Sequence, residues 1–332
     1  MPERILVTGG AGFVGSHLIE KLVEKRKEVV AFDNSWRGSQ KNLNNVKDKI
    51  EFIEGDIRDY TSIKNAMKDS DVVFHLASLQ GTRFFYEYPD LGLEVGLIGN
   101  LNVAKAMKEN NAKRVLFTSS SEVYSQPNTF PTQENHPLII PDPKNPRWSY
   151  SATKISGEVI FFSYGRKYGF DTSVVRIHNA YGPRMGWQHV IPEFIKRLVL
   201  DEEFTVQGNG SESRSFCYID DIVDGIISAA FKDAGANEVF NLGNDSEEYK
   251  IIDLIKMLSQ ISGKKIKPAF SGVRPEGSAT RRLPDISKAR KLLGYDSKIS
   301  LRDGLKLTYN WYKEEIESIL KNTDAKEYPW LK

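Results

Sequence analysis

Tyr150-Ser151-Ala152-Thr153-Lys154 opens a helical pattern and sets a phenol and an ammonium four positions apart. At that spacing the two side chains stand one turn apart on the same helix face. A nearby cation favours a phenolate and lowers a pKa that is about 10 in the free side chain, which suits proton abstraction from an alcohol. Taken alone, the pair reads more readily as an ordinary Tyr and Lys on a helix surface. The run Thr118-Ser119-Ser120-Ser121-Glu122-Val123-Tyr124 shifts the balance, because it closes a predicted strand. Catalytic groups in open α/β sheets gather at such carboxyl ends. Ser121, with Ser120 beside it, is expected to hydrogen-bond the reacting hydroxyl and the carbonyl that develops from it, while Glu122 offers a carboxylate.

A second constellation lies at the start of the chain, in Thr8-Gly9-Gly10-Ala11-Gly12-Phe13-Val14-Gly15, between a predicted strand and a predicted helix. Gly9 permits a tight turn, Gly12 lets backbone approach a pyrophosphate, and Gly15 lets the helix sit close to the sheet with its first amides toward the phosphates. Such a triplet also occurs in turns that merely pack a helix on a strand. Here Asp33 ends the second predicted strand eighteen positions after Gly15, near the spacing at which a carboxylate meets the ribose hydroxyls of a dinucleotide. A carboxylate there repels an extra phosphate, so NAD is expected rather than NADP. Arg37, close by in sequence, pulls the other way because it could attract a ribose phosphate.

The elements that must hold these groups follow from periodicity. Ile5 to Thr8, Val29 to Asp33, Ile50 to Glu54, Val72 to Leu76, Val115 to Ser119 and Thr172 to Ile177 read as strands buried on both faces. Helical patterns over Phe13 to Lys25, Pro89 to Asn110 and Tyr150 to Tyr168 separate them. The alternation predicts a doubly wound parallel α/β sheet, a Rossmann fold. After about residue 178 the pattern loosens, with helices expected near Ile191 to Leu200, Asp220 to Phe231, Ile251 to Ile261 and Leu301 to Ile319. The division expected is a dinucleotide-binding domain over 1–177, joined by about 213–243, and a smaller mixed α/β lobe over 178–212 and 244–332 that caps the sheet. Six prolines from Pro127 to Pro146 mark a surface loop.

Composition sets limits on partners. The 332 residues carry 46 Lys plus Arg against 44 Asp plus Glu, so no global field draws the chain to nucleic acid or an anionic membrane. A single cysteine, Cys217, excludes an internal disulfide and suits a reducing cytoplasm; the five histidines show no zinc spacing. No stretch approaches the roughly 18 apolar residues of a membrane span, and the start, Met1 to Thr8, passes into an apolar run without the pattern of a signal peptide.

With these residues together, the chain resembles the extended short-chain dehydrogenase/reductase family, in particular its sugar-nucleotide epimerases, dehydratases and decarboxylases. The likeness covers essentially the whole chain. It rests on the Gly9 to Gly15 loop, Gly55-Asp56-Ile57, His75-Leu76-Ala77, Asn100, the serine run, the Tyr150 and Lys154 pair, and Arg176-Ile177-His178-Asn179-Ala180-Tyr181-Gly182-Pro183. The resemblance implies NAD as cofactor, touched by Asn34, Asp56, Ile57, Leu76, Ala77, Asn100 and Ser119 as well as by the glycine loop, Asp33, Tyr150 and Lys154. It implies a nucleotide-diphosphate sugar as substrate, met by Gly81, Thr82, Asn179, Val190 and Gln207, with Arg214 and Arg274 on the diphosphate and Arg282 near a substrate carboxylate. Without the family, His75 and His178 read as core or strand-end histidines. Relatives commonly dimerise through two helices per subunit, for which the Pro89 to Asn110 and Tyr150 to Tyr168 patterns are available.

The resemblance also implies a reaction. Tyr150 takes the proton from the sugar's 4-hydroxyl, and a transient 4-keto sugar forms. Ser121 occupies the position where the dehydratases place an aspartate, which argues against dehydration. Ser120-Ser121-Glu122 resembles the Thr-Ser-Glu run of UDP-glucuronate decarboxylases. Arg176-Ile177-His178-Asn179, Pro275-Glu276-Gly277, Asp303-Gly304-Leu305 and Thr308-Tyr309 resemble GDP-mannose 3,5-epimerases, although those enzymes carry a cysteine base where this chain has Glu122. Epimerisation, most simply at carbon four, is the expectation, with decarboxylation close behind. Glu122 is then either a carbon-five base or a hydrogen-bonding anchor.

Overall fold

A computed structural model of the chain describes residues 3–274 and 276–322. Met1 and Pro2 of the expected apolar start, Pro275 of the Pro275-Glu276-Gly277 motif and 323–332 of the expected second lobe lie outside the described residues. Seven strands form the main sheet: β1 (Arg4–Thr8), β2 (Glu28–Asp33), β3 (Glu51–Glu54), β4 (Val72–His75), β5 (Arg114–Ser120), β6 (Asp171–Ile177) and β7 (Glu238–Leu242). Their order is β3-β2-β1-β4-β5-β6-β7, and every neighbouring pair is parallel. The doubly wound sheet expected from the alternation is therefore present. β7 is a strand that periodicity missed, because Glu238 and Asn241 interrupt its apolar run.

Strands covered on both faces read as continuous apolar runs, and β1 shows why. Ile5 and Val7 belong to a core with Leu18, Ile19 and Leu22 of α1 (Phe13–Glu24). Leu6 turns to the opposite core, with Val103, Met107 and Phe161. The strand order reverses between β1 and β4, so the crevice beyond their carboxyl ends is the natural ligand site of the fold.

The expected helix Pro89 to Asn110 forms without a break, but its turns change. It runs α-helical over Pro89–Leu93, π-helical over Glu94–Gly99 and α-helical again over Asn100–Asn110. The π-helical run is also where the helix packs closely: a Cβ on Gly96 would collide with the Thr153 side chain, and one on Gly99 with Ile57. The Tyr150 to Lys154 pattern opens the helix Ser149–Tyr168, ended by Gly169 in the left-handed conformation.

Beyond β6 the helices Val190–Val199, Ile251–Ser262 and Leu301–Asn322 pack together, whereas Ile219–Phe231 lies against α1 and the sheet. A three-stranded sheet joins Ser213–Arg214 to Tyr249–Lys250 and to Arg281–Arg282, and in it Arg282 is the register partner of Arg214. The Pro127 to Pro146 loop is mostly exposed. It is pinned at Thr132, whose amide donates to Leu283 at 2.8 Å and whose carbonyl accepts from Asp285 at 2.9 Å. No helix among the described residues is long and apolar enough to cross a membrane.

Candidate active site

A cleft of 550 Å³ opens over the carboxyl ends of the strands, within the size range of small-ligand sites. Gly9, Gly12, Phe13, Val14 and Gly15 line its floor. Gly9 has φ +71°, and a Cβ there would come within 2.8 Å of the Ala77 amide nitrogen. A Cβ on Gly15 would collide with the Gly9 carbonyl oxygen, whereas one on Gly12 meets only that oxygen, at 3.2 Å. Gly9 and Gly15 thus close the turn, and Gly12 leaves open a cradle over the first turn of α1, which fits a pyrophosphate. Asp33 is buried at the cleft, where the amides of Ala11 and Ser35 donate to its two oxygens at 3.0 and 2.8 Å. Burial pushes its carboxyl pKa up, and those two hydrogen bonds oppose the shift. Asn34, Asp56, Ile57, Leu76, Ala77 and Ser119 also line the cleft, as expected of dinucleotide contacts. Asn34 donates to Asp56 at 3.0 Å, and Arg58 grips the same carboxylate at 2.9 Å.

Tyr150 and Lys154 reach the cleft from the helix that follows the proline-rich loop. The phenol ring stacks on Phe85 at 5.1 Å, and Ser120 and Ser78 line the cleft beside it. The expectation that Lys154 lowers the phenol's pKa is corrected here. Desolvation raises it, and the groups that oppose the rise are Ser120, Arg37 and Ser78. Lys154 is turned to the carbonyl of Thr118, to which its ammonium donates at 2.8 Å, and it stands 5.6 Å from the Tyr150 ring centroid. Burial pulls its own pKa down to about 7.

Both serines expected to meet the reacting hydroxyl, Ser120 and Ser121, line the cleft. Ser120 is a serine whose presence favours ionisation of the phenol, and its oxygen accepts the Glu122 amide at 3.2 Å. Ser121 lines the cleft while its carbonyl accepts from Arg282 at 2.6 Å. Glu122 sits between two buried guanidiniums, with Arg282 at 2.9 Å and Arg147 at 3.6 Å. That arrangement suits an anchor more than a free base.

Of the residues expected on the substrate, Thr82, Asn179 and Val190 line this cleft, and Gly81 caps the short helix that begins at Thr82. Gln207, Arg214, Arg274 and Arg282 are not among its lining residues. Arg214 and Arg282 stand together next to Glu122, where burial lowers the Arg214 pKa to about 10 and Arg282 adds to the shift. The Arg214 guanidinium donates to the carbonyls of Ser213, Ala279 and Thr280. Arg274 is half-exposed, 3.5 Å from Glu212, and Gln207 is exposed. Asn100 also departs from its expected place, because it is buried behind the cleft. There His75 donates to it at 2.9 Å, Thr8 bonds the other ring nitrogen at 2.7 Å, and the Asn100 amide donates to the Thr153 carbonyl at 3.3 Å. His75 is thus the core histidine that the residues alone suggested, and it ties the glycine turn to the catalytic helix.

The sequence profile of the NAD dependent epimerase/dehydratase family matches residues 5–243. The chain belongs to that family. NAD is the family's cofactor, and the glycine cradle and Asp33 fit it. The family member is 36% identical over 310 residues to UDP-glucuronic acid decarboxylase 3 of Arabidopsis thaliana, covering 92% of this chain and 87% of that one. It is 34% identical over 318 residues to a putative UDP-glucose 4-epimerase of Methanocaldococcus jannaschii, covering 93% and 98%. The crystal structure of UDP-glucuronic acid 4-epimerase from Bacillus cereus, in complex with UDP-glucuronic acid and NAD, superposes with a TM-score of 0.84 at 31% identity, covering 94% of this chain and 99% of that one.

Three residues of this epimerase/dehydratase site escaped the sequence reading. Ser78 follows Leu76 and Ala77 and carried no pattern of its own. Arg147 lies three positions before Tyr150 and closes on Glu122 from the proline-rich segment. Arg37 was weighed only for a ribose phosphate, yet its guanidinium lies over Phe84 at 4.9 Å and faces Tyr150.

Proposed function

We propose that the protein is an NAD-dependent nucleotide-sugar epimerase that works through a transient 4-keto sugar. The observation that carries this reading is that Tyr150, with Ser120, lines the same cleft as the Gly9 to Gly15 turn. NAD, when bound, supplies a hydride acceptor that can return the hydride. The chain's part is to move the proton and hold the sugar. Tyr150 must ionise before it can take the proton of the 4-hydroxyl, and Ser120, Ser78 and Arg37 favour that ionisation. Phe85 stacked on the ring fixes the direction of the phenol oxygen. The protonated phenol then returns its proton when hydride re-adds to the other face of the ketone, which inverts the carbon.

In this reading Glu122 is an anchor rather than a carbon-five base, since Arg282 and Arg147 occupy its two oxygens. The same cluster favours a second reading. Arg147, Arg214 and Arg282 together exceed the charge of Glu122, which lines the cleft, so a sugar carboxylate that displaced Glu122 would meet cations there, and decarboxylation of the resulting β-keto acid would compete with epimerisation. Residues 1–177 with about 213–243 would then bind NAD, and 178–212 with 244–332 the nucleotide sugar. Gln207, Arg214 and Arg274 fit the diphosphate end of the substrate only after their side chains turn toward it. A homodimer through the two long helices is supported by Leu93, Ile98, Leu101 and Val159, which stay exposed on them. Cys217, buried as a free thiol, suits a cytoplasmic setting.

The test is to incubate the protein and NAD with UDP- and GDP-sugars, uronic acids included, and to identify products by mass and proton NMR. An unchanged mass with altered ring couplings is the expected result. Loss of carbon dioxide from a uronic acid would replace epimerisation by the second reading, and no product from any sugar would overturn both.

A further inference from the structure

Four cationic side chains line the cleft, and three of them are already engaged. Arg58 pairs with Asp56 and Glu94. Arg184 holds Glu20 and the Asn42 carbonyl, and Lys154 holds the Thr118 carbonyl. Arg37 differs. No carboxylate or carbonyl among the described residues takes its guanidinium, although the side chain is accessible and lies at the cleft wall.

Its position is nonetheless defined. The guanidinium lies over the ring of Phe84, 4.9 Å from the centroid, while the next residue, Phe85, stacks on the Tyr150 phenol. One short helix, Thr82–Glu87, therefore presents adjacent rings to the catalytic phenol and to an unpaired cation. On the far side Arg37 meets the segment that leads to Val190: a Cβ on Gly186 would come within 2.7 Å of Nη2. On the near side a Cβ on Gly81 would stand 3.5 Å from Nη1. Two glycines leave the room that this side chain occupies. Stacking on a ring takes the face of a guanidinium and leaves its in-plane N–H groups free for a forked acceptor.

We propose that Arg37 is an anion anchor at the catalytic end of the cleft, taking a phosphoryl or carboxylate oxygen of a bound ligand through those in-plane donors. The inference rests on the cleft being the site of NAD and a nucleotide sugar. Its side chain turns away from the ribose carboxylate: neither oxygen of Asp33 pairs with it, and the two accept backbone amides instead. Arg37 thus does not serve as a reader of a ribose phosphate beside Asp33. Three sources carry the required chemistry: the cofactor's pyrophosphate, the substrate's diphosphate and a sugar carboxylate.

Calorimetry on the full chain separates them with NAD, UDP and UDP-glucuronate as probes, using Arg37→Gln and Arg37→Lys. A charge-assisted forked contact predicts that Arg37→Gln weakens at least one probe by about ten- to a hundredfold, with Arg37→Lys intermediate. Loss confined to NAD assigns the pyrophosphate. Equal loss for UDP and UDP-glucuronate assigns the diphosphate, and loss for UDP-glucuronate alone assigns the carboxylate. Gly186→Ala, which crowds Nη2 without removing the charge, should weaken the same probe by a smaller factor and covers the case in which Arg37→Gln folds poorly. All three affinities unchanged within threefold, in variants that melt like the parent, would overturn the anchor. Because binding is read without turnover, a protein inactive on every sugar tried would still test Arg37, so the two readings fail separately.

Discussion

At the residue scale the account turns on which hydroxyl serves the phenol. Ser120 lines the cleft with Tyr150 and favours its ionisation, and Ser121 gives its carbonyl to Arg282. Replacing Ser120 by Ala should therefore lower kcat roughly a hundredfold, while Ser121→Ala should stay within a few-fold of the parent; steady-state rates at saturating substrate measure both. The opposite ranking would return the role to Ser121. Behind them lies a buried pair that sequence spacing could not reveal. Glu158, on the catalytic helix, accepts Ser119 at 2.5 Å and Arg176 at 2.9 and 2.7 Å. Glu158→Gln leaves the Arg176 charge buried without its counterion, which should cost about 3–5 kcal/mol in urea unfolding. The tyrosine, lysine and glycines were legible because their chemistry depends on local spacing. Arg37 and Arg147 were not, since their roles arise only when a loop from the second strand and the proline-rich segment fold over the same cleft.

At the element scale the alternation and five of the six apolar strands were readable because a parallel strand buried on both faces leaves little choice of residue; the sixth, Glu51–Glu54, forms as a partly exposed edge strand rather than the doubly buried one expected. β7 was hidden by its two polar positions, of which Asn241 is fully buried and satisfied by Thr132 and Asp285 carbonyls at 2.9 and 3.1 Å. The π-helical run Glu94–Gly99 was equally hidden, because what accompanies it is the approach of Thr153 and Ile57 rather than any local signal. Gly99→Ala should overpack that contact and destabilise by about 1–3 kcal/mol. Gly92→Ala, where the added methyl would find only a Leu79 methyl at 3.9 Å, should be neutral or stabilise by roughly 0.5–1 kcal/mol through helix propensity. Melting curves of the two variants should move apart; equal shifts would mean that the π-helical run does not depend on its glycines.

At the scale of the whole molecule, two buried histidines couple folding to pH. Burial pulls His75 and His178 from the ordinary 6.5 down to about 3, so each stays neutral in the folded chain when it is protonated in the unfolded one. The unfolded state then binds more protons between those values, and stability falls as pH drops below about 6.5, by roughly 1.4 kcal/mol per pH unit for each histidine. Urea midpoints from pH 7 to pH 4 should show the decline, and His75→Asn should make it shallower by roughly 1.4 kcal/mol per pH unit, whatever the starting stability of the variant. The same assembly serves chemistry only if the phenol at 150 is the proton carrier. The direct measurement is Tyr150→Phe, assayed for turnover on the sugar that the parent converts and for NAD binding by calorimetry. The account predicts turnover reduced by at least about a thousandfold with NAD affinity nearly intact; undiminished turnover would contradict it.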